Sequence, residues 1–170
     1  MSDREQKRVQ FESAKKKSFV PLAAIGLVLV LGIALIGWKF AGPDFGKYPL
    51  VLTADGQVSI PVSRFEDGKA HFFSFKHGEV SIDFFAVKSP DGVLRAAFDA
   101  CDVCYRDKKG YRQEGNEMVC VNCGQRFSID RINEVKGGCN PAPLTRQVAY
   151  GNIVINEQDL RLGARYFEGI

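Results

Sequence analysis

The sequence predicts a mainly β fold, with a small α+β arrangement as its variant, behind one long N-terminal apolar helix. Three observations predict it. Residues 18–38 run without a charge. From Val58 onward, short stretches of alternating apolar and polar residues are broken by Gly, Pro and Asp turns. Two C-x2-C pairs, Cys101/Cys104 and Cys120/Cys123, stand fifteen residues apart, and all five cysteines of the chain fall between Phe98 and Leu144.

Residues 1–17 form a polar tail ending in Lys15-Lys16-Lys17. The uncharged run 18–38 is about 31 Å long as a helix at ~1.5 Å per residue, the thickness of a bilayer core, and the transmembrane helix is taken over 18–40. Pro21 sits in its first turn, where a missing N–H costs little, and Trp38 and Lys39 close it with an interfacial aromatic and a charge. The basic run before the helix keeps the tail in the cytoplasm, so the expectation is a single-pass protein of the inner membrane with its C-terminal domain on the periplasmic side. A cleaved signal peptide is the rival; the run is longer than a usual signal core and no A-x-A-type site follows it.

Residues 41–56 read as a Gly/Pro-rich linker with at most a short strand, and 57–170 as the extracytoplasmic domain. Val58, Ile60 and Val62 alternate with polar residues, and Asp67-Gly68 and Ser89-Pro90-Asp91-Gly92 make turns. Strands are expected over 70–77, 80–88 (Val80, Ile82 and Phe84 on one face) and 93–98, giving three or four antiparallel strands before the first cysteine pair. Residues 105–115 suggest an exposed hairpin or loop, 126–132 a strand or short helix, and 147–155 one returning strand. The last fifteen residues read as a polar segment closing a sheet edge.

Formal charge is +3, unevenly placed: residues 1–40 hold seven Lys/Arg against three acids, and 41–170 hold sixteen against seventeen. A near-neutral domain argues against a nucleic-acid partner. No Ser/His/Asp set, P-loop or dinucleotide fingerprint occurs, which argues against a classical enzyme.

The chemistry lies in the cysteines. Two residues between cysteines allow a tight turn to aim both sulfurs at one centre, and two facing turns of this kind supply a tetrahedral thiolate set, a ribbon-like double knuckle. Gly124, directly after Cys123, suits the backbone such a knuckle requires. Four uses fit: structural zinc, an iron or iron–sulfur centre, thiol–disulfide exchange, or two plain disulfides. Ligand type alone does not separate zinc from iron. Cys139 is the odd cysteine, between Gly137-Gly138 and Asn140-Pro141; it is either a small buried residue at a turn or part of the site, as a fifth ligand, an alternative ligand or a free thiol beside it. His71 and His77 share a strand face with Phe73 and Phe75, offering imidazoles to a metal or haem, though an edge and solvent position is the commoner fate. Asp99, Asp102 and Asp107 lie among Arg106, Lys108 and Lys109 and read as a solvated loop.

The run from Ile60 to Ile155 resembles the FtrD-like family of membrane-anchored iron–sulfur proteins. The resemblance rests on F-F-A-V-K-S-P-D-G (84–92), F-D-A-C-D-V-C-Y (98–105), Gly110-Tyr111, C-V-N-C-G (120–124) and G-G-C-N-P-A-P-L (137–144). It implies an accessory in bacterial metal handling, above all ferrous iron uptake beside an iron permease, carrying metal or electrons at the membrane. The expected metal set is Cys101, Cys104, Cys120, Cys123 and Cys139, with iron or an iron–sulfur centre as cofactor and zinc as the alternative. A thiol–disulfide oxidoreductase of the cell envelope and a binding module with a purely structural zinc ribbon are the rival functions.

Overall fold

The computed structural model describes residues 47–169, within the second of two units that divide between Asp44 and Phe45. Among these residues no helix is long and apolar enough to cross a membrane. The predicted span, 18–40, lies outside them, as do the basic tail and residues 41–46.

The described chain is mainly β. Three strands, β3 (His71–His77), β4 (Val80–Lys88) and β5 (Leu94–Phe98), form an antiparallel meander, and the two-residue β1 (Leu50–Val51) lies parallel to β3 at its edge. The turn between β4 and β5 is the predicted Ser-Pro-Asp-Gly: Gly92 N–H donates to Ser89 O at 2.8 Å, and Gly92 takes φ +82°. Alternation along β4 is real, but both of its faces are buried. Ile82, Phe84 and Ala86 enter one apolar core, while Phe85 and Val87 enter a second on the opposite side. A strand covered on both faces loses its polar stripe, and β4 accordingly shows only Asp83 inside its buried run.

Partners distant in sequence make the first core. β2 (Gln57–Pro61) does not join the meander as expected; it pairs with β10 (Asn152–Asn156), which in turn pairs with β9 (Gln147–Ala149). Ile60 stands opposite Ile153 and Val58 opposite Ile155, all four buried against Phe73, Phe84 and Phe98. The single returning strand expected over 147–155 is therefore a hairpin. Tyr150 and Gly151 both take positive φ, +50° and +73°, the pattern of a two-residue hairpin turn whose twist matches its strands. The C-terminal segment also departs from its reading as a polar edge. It forms α1 (Glu157–Arg161) and a 3-10 turn, Ala164–Tyr166, that bury Leu160, Ala164 and Tyr166 in the first core. Apolar residues at 160, 164 and 166 are too sparse to stand out among their charged neighbours.

The second core lies under a three-stranded ribbon of β6 (Tyr111–Glu114), β7 (Glu117–Cys120) and β8 (Arg126–Ser128). Of the hairpin or loop expected over 105–115, residues Tyr111–Glu114 are β6, paired with β7 as a hairpin and preceded by a 3-10 turn at Tyr105–Asp107, and 126–132 is a strand followed by a 3-10 turn, Ile129–Arg131. Tyr111, Met118, Ile129 and Ile132 pack on Phe85, Val87 and Ala97 of the meander. Polar clamps hold the two layers in register. Buried Arg95 donates to Ser89 Oγ (3.0 Å), Ile132 O (2.9 Å), Glu134 (3.1 Å) and Asp91 (2.7 Å). Asn133 uses its side-chain amide as a strand would use its backbone, donating to Ala96 O at 2.7 Å and accepting from Ala96 N at 3.1 Å.

Candidate metal centre

Each cysteine pair hangs from the end of a strand. Chain leaving β5 turns at once, and Cys104 N–H donates to Cys101 Sγ at 3.1 Å. Chain leaving β7 turns between Cys120 and Gln125, with Gly124 N–H donating to Cys120 O and Cys120 N–H to Gln125 O, both at 2.9 Å. Gly124 takes φ +74°, the left-handed conformation its position required. Backbone N–H groups of Cys123 and Asn122 reach the Cys120 sulfur, and that of Gln125 reaches Cys123. Amides aimed at sulfur favour the thiolate, the form that binds metal.

Cys139 arrives by strand-like pairing. An isolated antiparallel bridge joins Ala97 to Pro143. Phe98 N–H donates to Ala142 O (2.8 Å) and Ala142 N–H to Ala100 O (2.9 Å). That pairing leads the chain back to the first knuckle, where Cys139 meets Cys104. Gly137 and Gly138, at φ +84° and +60°, make the preceding bend, which Asn140 closes through its amide to Gly137 O at 3.0 Å.

The five sulfurs gather as two overlapping triads. Those of Cys101, Cys104 and Cys120 lie within 4.8 Å of one another, and so do those of Cys104, Cys123 and Cys139. Cys104 and Cys139 are 3.7 Å apart, close to the ~3.8 Å sulfur–sulfur edge of a tetrahedral site with bonds of about 2.3 Å. All five cysteines are free. Cys101, Cys104 and Cys120 are buried, Cys139 is half-buried and Cys123 is exposed.

The electrostatics fit a cation. Burial pushes the Cys120 thiol up to about 11. Burial and then the neighbouring Cys123 and Cys104 push Cys139 up as well. The Gln125 N–H holds the exposed Cys123 below the ordinary thiol value. So many thiols ionise together only when a positive ion offsets their repulsion, and an all-sulfur set suits iron, iron–sulfur or zinc. The residues present therefore fit an iron–sulfur or related centre, whose iron supplies one-electron redox chemistry when bound.

Further groups surround the sulfurs. The Tyr111 hydroxyl donates to Cys139 O at 2.7 Å, and its phenol is held well above the ordinary value by burial and then by Cys101. Asp99 is no part of a solvated loop: it is 5 % exposed. It accepts from Tyr111 N–H (2.7 Å), Tyr48 OH (2.9 Å) and Lys47 (2.9 Å). A Cβ on Gly110 would meet its carboxylate at 2.2 Å. Asp102 and Asp107 are exposed, as read; Asp107 accepts from Asn122 of the other knuckle at 2.6 Å, tying the two turns together. An open cleft of about 650 Å³ runs past Cys101, Cys104 and Cys120, with Asp83, Asp99 and Lys47 also lining it. The histidines stand apart. His71 contacts Asp67 at 3.0 Å, His77 is exposed at the β3–β4 turn, and neither joins a potential ligand cluster among the described residues.

Comparison with known proteins gives one family. A search of curated proteins finds no match. Among solved structures, the chain is similar to the quaternary ammonium Rieske monooxygenase CntA at 15 % identity and a TM-score of 0.40, over 68 % of this chain and 32 % of that one. The model of the membrane iron-sulfur containing protein FtrD-like family matches residues 65–167. That span includes the β3–β5 meander, both knuckles, Cys139 and the C-terminal turns. The chain belongs to the FtrD-like family of membrane iron–sulfur containing proteins.

Proposed function

We propose that this chain is a membrane-anchored accessory protein that holds an iron or iron–sulfur centre on its five cysteines and passes metal or electrons during ferrous iron uptake. The observation that carries the reading is the convergence of Cys101, Cys104, Cys120, Cys123 and Cys139 from three separate segments onto one spot. A purely structural zinc ribbon needs four ligands and is closed. Here a fifth sulfur approaches, Cys123 faces solvent, and a cleft adjoins Cys101, Cys104 and Cys120. Val103 and Val121, exposed apolar residues at the tips of the two knuckles, offer a rim to a partner such as an iron permease.

The anchor is the apolar run 18–40, with Lys15–Lys17 on the cytoplasmic side and the cysteine domain outside. A periplasm-dependent reporter fused after Ile170 is expected to be active; activity of a cytoplasm-only reporter there would reverse the topology. The function is tested in cells limited for iron. Replacing the parent by Cys104→Ser is expected to lower ferrous uptake several-fold at equal protein level, and undiminished uptake would remove iron transport from the account. Envelope thiol–disulfide exchange keeps one point in its favour, the exposed and acidified Cys123. It predicts instead a metal-free protein that exchanges disulfides.

A further inference from the structure

The two sulfur triads differ in more than membership. Cys101, Cys104 and Cys120 are 1 %, 9 % and 2 % exposed, whereas the other triad adds the exposed Cys123 and the half-buried Cys139 to the same Cys104. A single tetrahedral ion uses four thiolates and leaves the fifth without a role. Two triads with one sulfur in common use all five, and a thiolate sulfur has lone pairs enough to bind two ions at once.

We propose that the five cysteines form a two-ion thiolate site bridged by Cys104, with an inner ion on Cys101, Cys104 and Cys120 and an outer ion on Cys104, Cys123 and Cys139. The inference deepens the reading above and rests on it. Each ion then has three protein ligands and keeps a position open, which is the arrangement of sites that act on something rather than merely brace a fold. The inner ion's open position faces the cleft, which all three of its cysteines line. The outer ion's faces solvent beside Cys123. Loading is ligand exchange only. Each thiol gives its proton to water as its sulfur binds, no electrons move, and an ion shifts inward by losing Cys123 and Cys139 while gaining Cys101 and Cys120. Three thiolates without oxygen or nitrogen donors select soft, sulfur-seeking ions. Two divalent ions offset most of the charge of five thiolates; one leaves far more of it exposed to mutual repulsion.

The test is titration of the full chain with cadmium(II), in detergent, reduced and stripped of metal, followed by thiolate-to-metal absorbance and native mass. The parent is expected to take two ions, and Cys139→Ser, which alters the half-buried side, is expected to take one with an unchanged far-UV spectrum. Cys104→Ser is expected to take at most one and to lose more absorbance than Cys139→Ser, because it strips a ligand from both ions. Saturation of the parent at one ion, or retention of two in Cys139→Ser, would overturn the bridge while leaving the metal-handling reading in place. If the parent takes no ion and all five thiols titrate freely, both fail.

Discussion

Asp91 illustrates how much one turn residue can carry. Its carboxylate accepts from Ser89 Oγ, Val93 N–H (3.0 Å) and the buried Arg95 (2.7 Å), and these bonds, Ser89 first, lower it from its ordinary 3.8 to about 2. A carboxylate depressed in the folded state contributes stability that is present above its unfolded value and is lost as pH falls through the folded one. Asp83 behaves oppositely. Burial raises it despite a 2.5 Å bond from Ser74, so its contribution is fullest below the ordinary carboxylate value and declines as pH rises through the raised one. Urea midpoints taken between pH 5 and 2, roughly the window in which such groups titrate, are expected to fall less steeply in Asp91→Asn than in the parent. Parallel curves would mean that the turn does not feel this charge. Sequence alone named the Ser-Pro-Asp-Gly turn. It did not name Arg95, because an arginine in the middle of a strand looks solvent-facing until a second layer covers it.

At the scale of elements, the ribbon meets the meander through Asp99, Gly110 and Tyr111. Gly110 is needed twice over, once for its φ of +66° and once because its missing Cβ makes room for the Asp99 carboxylate. Gly110→Ala is expected to cost more than ~1 kcal/mol, the usual range where the native conformation excludes alanine. Because Tyr111 stands opposite Cys120 in the ribbon, metal affinity should fall with it. Unchanged stability and affinity in that variant would show the junction to be slack. The knuckles themselves were legible, since C-x2-C and a following glycine are local signals. The approach of Cys139 was only half legible. Gly-Gly-Cys-Asn-Pro announces a bend, but the pairing of Ala142 and Pro143 with β5 that carries Cys139 to Cys104 is a long-range contact with no mark in the segment itself.

For the whole domain, the β class was readable and the topology was not. Alternation identifies strands without saying which strand pairs with which, so nothing in residues 57–61 marks the distant β10 as the partner of β2. The double coverage of β4 was hidden for the same reason, since Phe84 and Phe85 in succession fit a buried strand only once two cores are known. The result is a central sheet with an apolar core on each face, and the cysteines lie where the second core opens to solvent. Metal binding should accordingly be coupled to folding of the ribbon, since apparent energies for structural thiolate zinc sites reach about 10–16 kcal/mol, as large as a typical domain's whole stability.

The central claim is that one metal centre sits on cysteines drawn from both knuckles and from the 137–141 bend. Metal content and visible absorption of the full chain, purified without oxygen or added chelator, test it most directly. Bound metal is expected, with thiolate charge-transfer bands in the visible if the metal is iron. Cys101→Ser, Cys120→Ser and Cys139→Ser are each expected to diminish the metal bound, although they come from three different segments. Metal retained in full when both Cys101 and Cys104 are replaced, or a colourless chain holding two disulfides and no metal, would contradict it.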